Sequence, residues 1–480
     1  MGKNTQRAKE WEAAAFIREE EIEKLLTAAQ NASKEEIMAI IEKARQAQGL
    51  TLPEVAVLLQ ITDGELLDEV FAAAKEVKQR IYGQRVVIFA PLYVSDFCVN
   101  SCRYCGYQRN NKFKRRKLTR EELIQEVKLL ESMGHKRLAL ETGEHPTECP
   151  LEYVLDCIET IYGIKFENGS IRRINVNIAA TTIDEYRRLK AAGIGTYILF
   201  QETYHRDTYA KMHPAGPKAD YDWHTTSHDR AMLGGIDDVG LGVLFGLYDY
   251  KFEVLALLQH AQHLEARFGV GPHTISVPRL RPAHGVDLTT FPYLVGDEDF
   301  AKIVAILRLA VPYTGLILST RETPEFRDRL LNYGISQVSA ASSTGVGGYM
   351  EKQKRIGSDE EAEEGSPQFV VEDTRSMDEV LTSICASGYL PSFCTACYRQ
   401  GRTGDRFMAL AKTGQIQNVC QPNAILTFKE YLLDYASPEM RQLGEKVINR
   451  HLLQIEDETI RALTKERLQQ LEQGKRDLYF

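Results

Sequence analysis

The chain has 480 residues, 43% of them hydrophobic and 26% charged, the make-up of an ordinary packed protein, which excludes collagen-like, disordered and disulfide-framework classes. Lys and Arg number 59 against 67 Asp and Glu, a net charge of −8, which argues against nucleic acid or an acidic membrane as the main partner and for small molecules. No run approaches about 18 apolar residues, and the opening MGKNTQRAKEWEAAAFIREEEIEKLL is charged throughout where a signal peptide would carry an apolar core, so the expected location is the cytoplasm.

In chain order, residues 1–84 are rich in Ala, Glu, Lys and Leu at helical spacing, as in EEIEKLLTAAQ and DGELLDEVFAAAKEVKQRIYG, and predict a helical extension with Pro53 after a Leu-Thr-Leu turn. From residue 85 the texture changes to short apolar runs: VVIFAPLYVS (86–95), RLALETGE (137–144), INVNIAA (174–180), TYILFQETY (196–204), DVGLGVLFGL (238–247), HTISVPRL (273–280), GLILSTRE (315–322) and SQVSAASST (336–344). Helical patterns such as TREELIQEVKLLESMG, TTIDEYRRLKAAG and DFAKIVAILRLAV lie between them and end near Gly or Pro. Eight strand–helix units predict an α/β fold, a complete TIM-type (β/α)8 barrel over residues 85–356, with an open doubly wound sheet as the alternative. Such a barrel works at the C-terminal ends of its strands, where Glu144, Asn177, Gln201, Glu202, Arg321 and Ser342 fall. The acidic run GSDEEAEEGSP (357–367) begins a linker over 357–375 and reads as a solvated loop, and the GVGG stretch (Gly345, Gly347, Gly348) reads as tight turns, not a phosphate cradle. Residues 376–480 predict a mainly helical C-terminal domain.

Nine cysteines is an odd number, and six of them form two tight groups, which in a cytosolic chain points to metal. Cys149, Cys157 and Cys385 stand alone and read as small buried hydrophobes. After the first apolar run comes CVNSCRYCGY, with Cys98, Cys102 and Cys105 at C-x3-C-x2-C spacing. Three thiolates inside eight residues converge only by wrapping a compact object, as a [4Fe-4S] cube is held, and three ligands leave one iron open. Zinc is the competitor, but a structural zinc site wants a fourth ligand at customary spacing. Near the C-terminus Cys394, Cys397 and Cys420 follow C-x2-C-x22-C, again without an evident fourth. A Cys3His zinc site with His451, thirty-one residues on, is the alternative to a second [4Fe-4S] cluster.

The three-cysteine loop, with Tyr104 before its last cysteine, resembles the signature of the radical S-adenosylmethionine (SAM) enzymes. The resemblance implies that the open iron chelates SAM and that one electron cleaves the sulfonium to a 5′-deoxyadenosyl radical, the chemistry belonging to the cofactor and the positioning to the protein. It maps the Gly-Gly-Glu motif onto Thr142, Gly143 and Glu144, with the first glycine replaced, and makes Tyr104, Gly143, Glu144, Asn177 and Glu202 candidate SAM contacts. Together with Cys394, Cys397 and Cys420, the runs VNIAATT, LFQETYH, GPHTISVPRLRPA, ILSTRE and TGVGGY resemble the HydG family, the tyrosine lyases of [FeFe]-hydrogenase maturation, over nearly the full chain.

That resemblance implies cleavage of the Cα–Cβ bond of L-tyrosine to p-cresol and dehydroglycine. Dehydroglycine is then converted to CO and cyanide at the second cluster, giving an Fe(CO)2(CN) unit that carries free cysteine. Implied partners are tyrosine, SAM, free cysteine, a ferredoxin- or flavodoxin-type electron donor and other hydrogenase maturation proteins, in an anaerobic setting. Arg321 offers the planar fork that a substrate carboxylate wants, the bland alternative being a surface pair with Glu322, and Ser319 and Ser342 are candidate hydroxyl donors. His273 is a candidate ligand for an extra iron beside the second cluster. A thiazole-pathway tyrosine lyase that releases dehydroglycine to a partner and a non-catalytic iron–sulfur scaffold are the rival readings.

Overall fold

The computed structural model describes residues 13–355 and 367–480, so the expected acidic loop at 357–367 lies, apart from Pro367, outside the described residues. Eight parallel strands follow one another around a barrel: β1 Arg85–Ser95, β2 Arg137–Thr142, β3 Arg173–Asn177, β4 Tyr197–Ile198, β5 Val239–Gly242, β6 Thr274–Ser276, β7 Gly315–Leu318 and β8 Gln337–Ser339. Closure is direct, because β1 pairs with β8 through Val87–Phe89 and with β2 through Ala90–Ser95. The open-sheet alternative is thereby excluded, and the (β/α)8 expectation holds.

The connecting helices form for local reasons that can be named. Thr119 and Thr182 cap Arg120–Ser132 and Ile183–Ala191 with reciprocal Glu122 and Glu185 side chains, each pair satisfying two free backbone N–H groups. Tyr250–Phe268 ends on Gly269 at φ 76°, the left-handed cap a side chain would resist. Before the barrel lie four helices, Glu19–Ala28, Lys34–Arg45, Leu52–Leu59 and Gly64–Tyr82. The expected turn before Pro53 is the N-terminus of the third: Thr51 and Glu54 make a capping box and Pro53 sits in the first turn, where its missing N–H costs nothing.

A ninth strand, β9 (Leu390–Ser392), was not expected. It runs parallel to β1 and pairs with Arg85–Val87, the N-terminal end of that long strand. Its place carries the chain that follows, with Cys394, to the bottom mouth of the barrel, where the Arg137 guanidinium donates to the Cys394 carbonyl at 2.6 Å. The helix Gln417–Asp434 packs against β9 and brings Cys420 in its first turn to the same mouth.

Candidate functional site

At the top of the barrel the cysteine loop is held by backbone bonds to its neighbours. Val99 N–H donates to the Glu144 carbonyl at 2.8 Å, Arg103 N–H to that of Met212 at 3.0 Å and Gly106 N–H to that of Gln368 at 3.1 Å. Asn100 ties the site together, its amide donating to Glu144 at 2.7 Å and its oxygen accepting from Lys218 N–H at 3.0 Å. Gly143 is required by contact, since a Cβ there would lie 2.3 Å from the Phe97 carbonyl oxygen. Thr142, standing where the motif has its first glycine, lines the cavity beside it, so the close approach falls on Gly143 alone.

Cys98, Cys102 and Cys105 line one cavity with Tyr104, Gly143, Glu144, Asn177, Glu202 and Arg321. Burial pushes the Cys102 thiol well up and that of Cys105 up to about 11, with the neighbouring thiols adding to the effect. Glu202 sits at φ 71° and accepts from Lys218 Nζ at 2.8 Å. Burial opposes the Lys218 charge, but Glu202 and Cys102 outweigh it and hold the ammonium above its usual range. The His213 Nδ1–H must donate to the Tyr209 carbonyl, so its Nε2 accepts from the Tyr104 hydroxyl at 2.8 Å.

Arg321 is not a surface residue paired with Glu322. Glu322 is taken by Arg279 and Arg281, at 2.5 and 2.6 Å. The Arg321 guanidinium lies 3.4 Å over the Phe369 ring, lines both the upper cavity and the one beneath it, and makes no hydrogen bond or ion pair with the described residues. Ser319 lines the lower of these two beside it. Ser342 does not: Ala341 at φ 51° turns the chain, and the buried Ser342 hydroxyl lies outside the cavities without a partner. Ser339 and Thr344 take that side of the wall. Gln201, another rim candidate, is spent on Thr225. The GVGG turns begin the helix Gly348–Arg355, whose first N–H groups are occupied by the Glu126 carboxylate, leaving no anion cradle.

The barrel interior is hollow where such barrels are normally filled by layers of side chains. A middle cavity, lined by small or polar residues such as Ala139, Asn175, Ser276 and Ser339, shares Glu141, Asn177, Phe200, Arg321, Gln368 and Phe369 with the upper one. It shares Gln337 with a third cavity at the bottom, lined by Cys394, Cys397, Cys420, His273, Arg85, Arg137, Arg173 and Tyr398. The three enclose about 940, 760 and 650 Å³, open mouths included. Burial and the adjacent Arg173 lower the Arg137 pKa to about 9, and a hydrogen bond from Cys420, aided by Arg402, brings the Cys397 thiol down to about 6. His273 Nδ1 lies 3.8 Å from Asp238, and burial lowers its pKa. His451 is excluded as a fourth ligand, being bonded to Gln421 and to the Gly388 carbonyl away from this cavity.

Neither thiol trio suits a single ion. A tetrahedral zinc needs thiolates within about 3.8 Å of one another, given bonds of about 2.3 Å, and no three Cys, His, Asp or Glu among the described residues converge so closely. Thiols spaced around a cavity suit a larger cluster. In the lower site, three buried arginines facing three thiols fit a group of net negative charge.

Comparison with known proteins decides the family. Residues 92–261 match the Radical SAM superfamily and residues 276–390 the Biotin and Thiamin Synthesis associated domain. A crystal structure of HydG, a maturase of the [FeFe]-hydrogenase, is 59% identical, covers 97% of this chain and 100% of its own, and superposes with a TM-score of 0.93. The chain belongs to the HydG family. A second HydG, from Carboxydothermus hydrogenoformans, is 40% identical with a TM-score of 0.81 over 94% of this chain and 97% of its own. The 2-iminoacetate synthase of Escherichia coli K12 is 33% identical over 74% of this chain and 89% of its own. This HydG-family chain is therefore a radical SAM carbon–carbon lyase, a class that carries a [4Fe-4S] cluster and SAM. No helix among the described residues is long and apolar enough to cross a membrane.

Glu141, Asn100, Lys218 and the Arg137–Arg173 pair were missed by the sequence reading. Their partners lie far along the chain, Asn100 being 118 residues from Lys218, and no local pattern marks them.

Proposed function

We propose that this chain cleaves the Cα–Cβ bond of L-tyrosine to p-cresol and dehydroglycine in the upper cavity and turns the fragment into CO and cyanide at the lower one. The product is an Fe(CO)2(CN) unit carrying cysteine, for assembly of the [FeFe]-hydrogenase centre by other maturation proteins. Cys98, Cys102 and Cys105 hold the SAM-binding cluster, which when bound supplies the 5′-deoxyadenosyl radical. Cys394, Cys397 and Cys420 hold an auxiliary cluster, with His273 placed to ligate an extra iron. Gly143 and Glu144 position the SAM methionine end, with Tyr104, Asn177 and Glu202 around it. Arg321 takes the tyrosine carboxylate in a bidentate fork, and Ser319 stands beside it.

One observation carries this reading. Two thiol trios lie at opposite mouths of one barrel, joined by cavities that share lining residues, so a small reactive fragment can pass between them without meeting solvent. It also favours this reading over thiazole-type release to a partner, for which the lower trio would have no task. The electron comes from a ferredoxin- or flavodoxin-type carrier. Residues 103–117 around the upper trio hold seven Arg or Lys and no acid, and Arg103, Arg109, Lys112 and Lys114 are exposed without an ion pair among the described residues. An acidic carrier would meet that surface.

The test is anaerobic reconstitution followed by incubation with SAM, dithionite and tyrosine. The expected results are about eight irons per chain, or about nine with the extra iron, and formation of p-cresol and CO. Zinc in place of iron, or p-cresol without CO, would overturn the proposal.

A further inference from the structure

Glu141 is the acid shared by the upper and middle cavities. It lies near the end of β2, in register with Tyr93 on β1 and Asn177 on β3. One of its oxygens accepts from the Asn177 amide at 2.7 Å, and the other has no hydrogen bond from the described residues. Four ionisable groups face it: the Arg321 cation after β7, the Glu202 carboxylate after β4, the Tyr93 phenol on β1 and the Tyr107 phenol on the cysteine loop. Burial raises its pKa to about 8, Glu202 adding to the rise and Arg321 and Asn177 opposing it.

A substrate amino acid anchored on Arg321 brings its ammonium into this same cavity. An ammonium nitrogen has no lone pair to stabilise a radical, so a hydrogen atom leaves nitrogen readily only after the ammonium has lost a proton. A base must therefore stand within reach of the substrate nitrogen. Two other carboxylates line the upper cavity, and both are engaged: Glu144 accepts from Asn100 and Glu202 from Lys218. Resting on the tyrosine-lyase reading, we infer that Glu141 is the general base that takes a proton from the substrate ammonium and so produces the neutral amine on which radical abstraction acts. One N–H bond breaks and its electron pair stays on nitrogen. One O–H bond forms on the free Glu141 oxygen, and no electron changes hands. An ammonium and a carboxylate become two neutral groups, a change that a buried cavity favours. A carboxyl that titrates near 8 is matched to that task close to neutral pH.

Glu141→Gln keeps the shape and the acceptor for Asn177 but removes the base. The reconstituted variant should bind tyrosine within about tenfold of wild type and still form 5′-deoxyadenosine, while p-cresol formation at pH 7 falls by about a hundredfold or more. Raising the pH should recover part of the loss, as the substrate ammonium deprotonates unaided. A second variant keeps the carboxyl and removes its donor: in Asn177→Ala the acid limb of the p-cresol profile should move to higher pH, because the bond that favours the charged form is gone. The inference is overturned if Glu141→Gln keeps the wild-type p-cresol rate and pH profile, or if it loses tyrosine binding with kcat intact, the behaviour of an ionic anchor. An unmoved limb in Asn177→Ala would count equally against it. Wild-type protein that forms 5′-deoxyadenosine but no p-cresol would instead refute the tyrosine-lyase reading itself.

Discussion

A guanidinium buried in a cavity wall is costly until an anion meets it, and the described protein offers Arg321 none. Arg321→Lys keeps the charge and loses the fork. A charge-assisted bond is worth about 1.5 to 3 kcal/mol, so tyrosine binding should weaken roughly ten- to a hundredfold with SAM binding unchanged, as equilibrium titration would read. Gly143→Ala tests the opposite kind of residue, one that matters for what it lacks. Its Cβ would force the Phe97 carbonyl, and Cys98 after it, out of place. The variant should lose iron from the upper site and destabilise the protein by about 1 to 3 kcal/mol, measurable by iron content and denaturant unfolding. At this scale the sequence revealed residues that sit in a motif or directly after a strand, namely the six cysteines, Gly143 and Arg321. It could not reveal Glu141 or Lys218, whose roles depend on neighbours from other strands, and it misplaced Ser342 because a single left-handed residue redirects the chain.

The eight barrel strands were legible as apolar runs, but most runs outlast their strands. In TYILFQETY only Tyr197–Ile198 is strand, and the remainder bends into the rim to deliver Glu202. β9 was illegible because it is three residues long and contains Pro391, which argues against a strand unless it lies at a sheet edge, as this one does. The helix Tyr250–Phe268 is docked onto the rim by Glu253, which accepts from the Thr203 hydroxyl and from Tyr204 N–H, the latter at 2.8 Å. Burial raises its pKa from 4.5 to about 8. The folded state therefore holds this proton more tightly than the unfolded chain does. Its contribution to stability is full below about pH 4.5 and is lost as pH rises through about 8. Glu253→Gln should flatten that decline, leaving the variant more stable than wild type by a few kcal/mol, order of magnitude, at pH 9, and no more stable at pH 4. Thermal melts at the two pH values check the sign.

Over the whole molecule, the barrel acts as a conduit with a thiol trio at each mouth and as a platform for electron delivery at the top. Charge reversal at Arg109, Lys112 and Lys114 should slow p-cresol formation at least about tenfold when a reduced acidic carrier protein supplies the electron at low salt. With dithionite the rate should stay within about twofold of wild type, and high salt should narrow the difference. The fold class and both trios were readable from the chain; that the trios share one hollow axis was not, since hollowness depends on small and polar residues meeting from different strands. The most direct test of the division of labour is a paired assay of p-cresol and CO on a Cys394→Ala, Cys397→Ala double variant. The account expects p-cresol at a rate within about tenfold of wild type, a barrier change of about 1.4 kcal/mol, with CO and infrared bands of iron-bound CO or cyanide absent. Full CO output would show that the lower trio is structural, and equal loss of both products would show that the two mouths do not work independently.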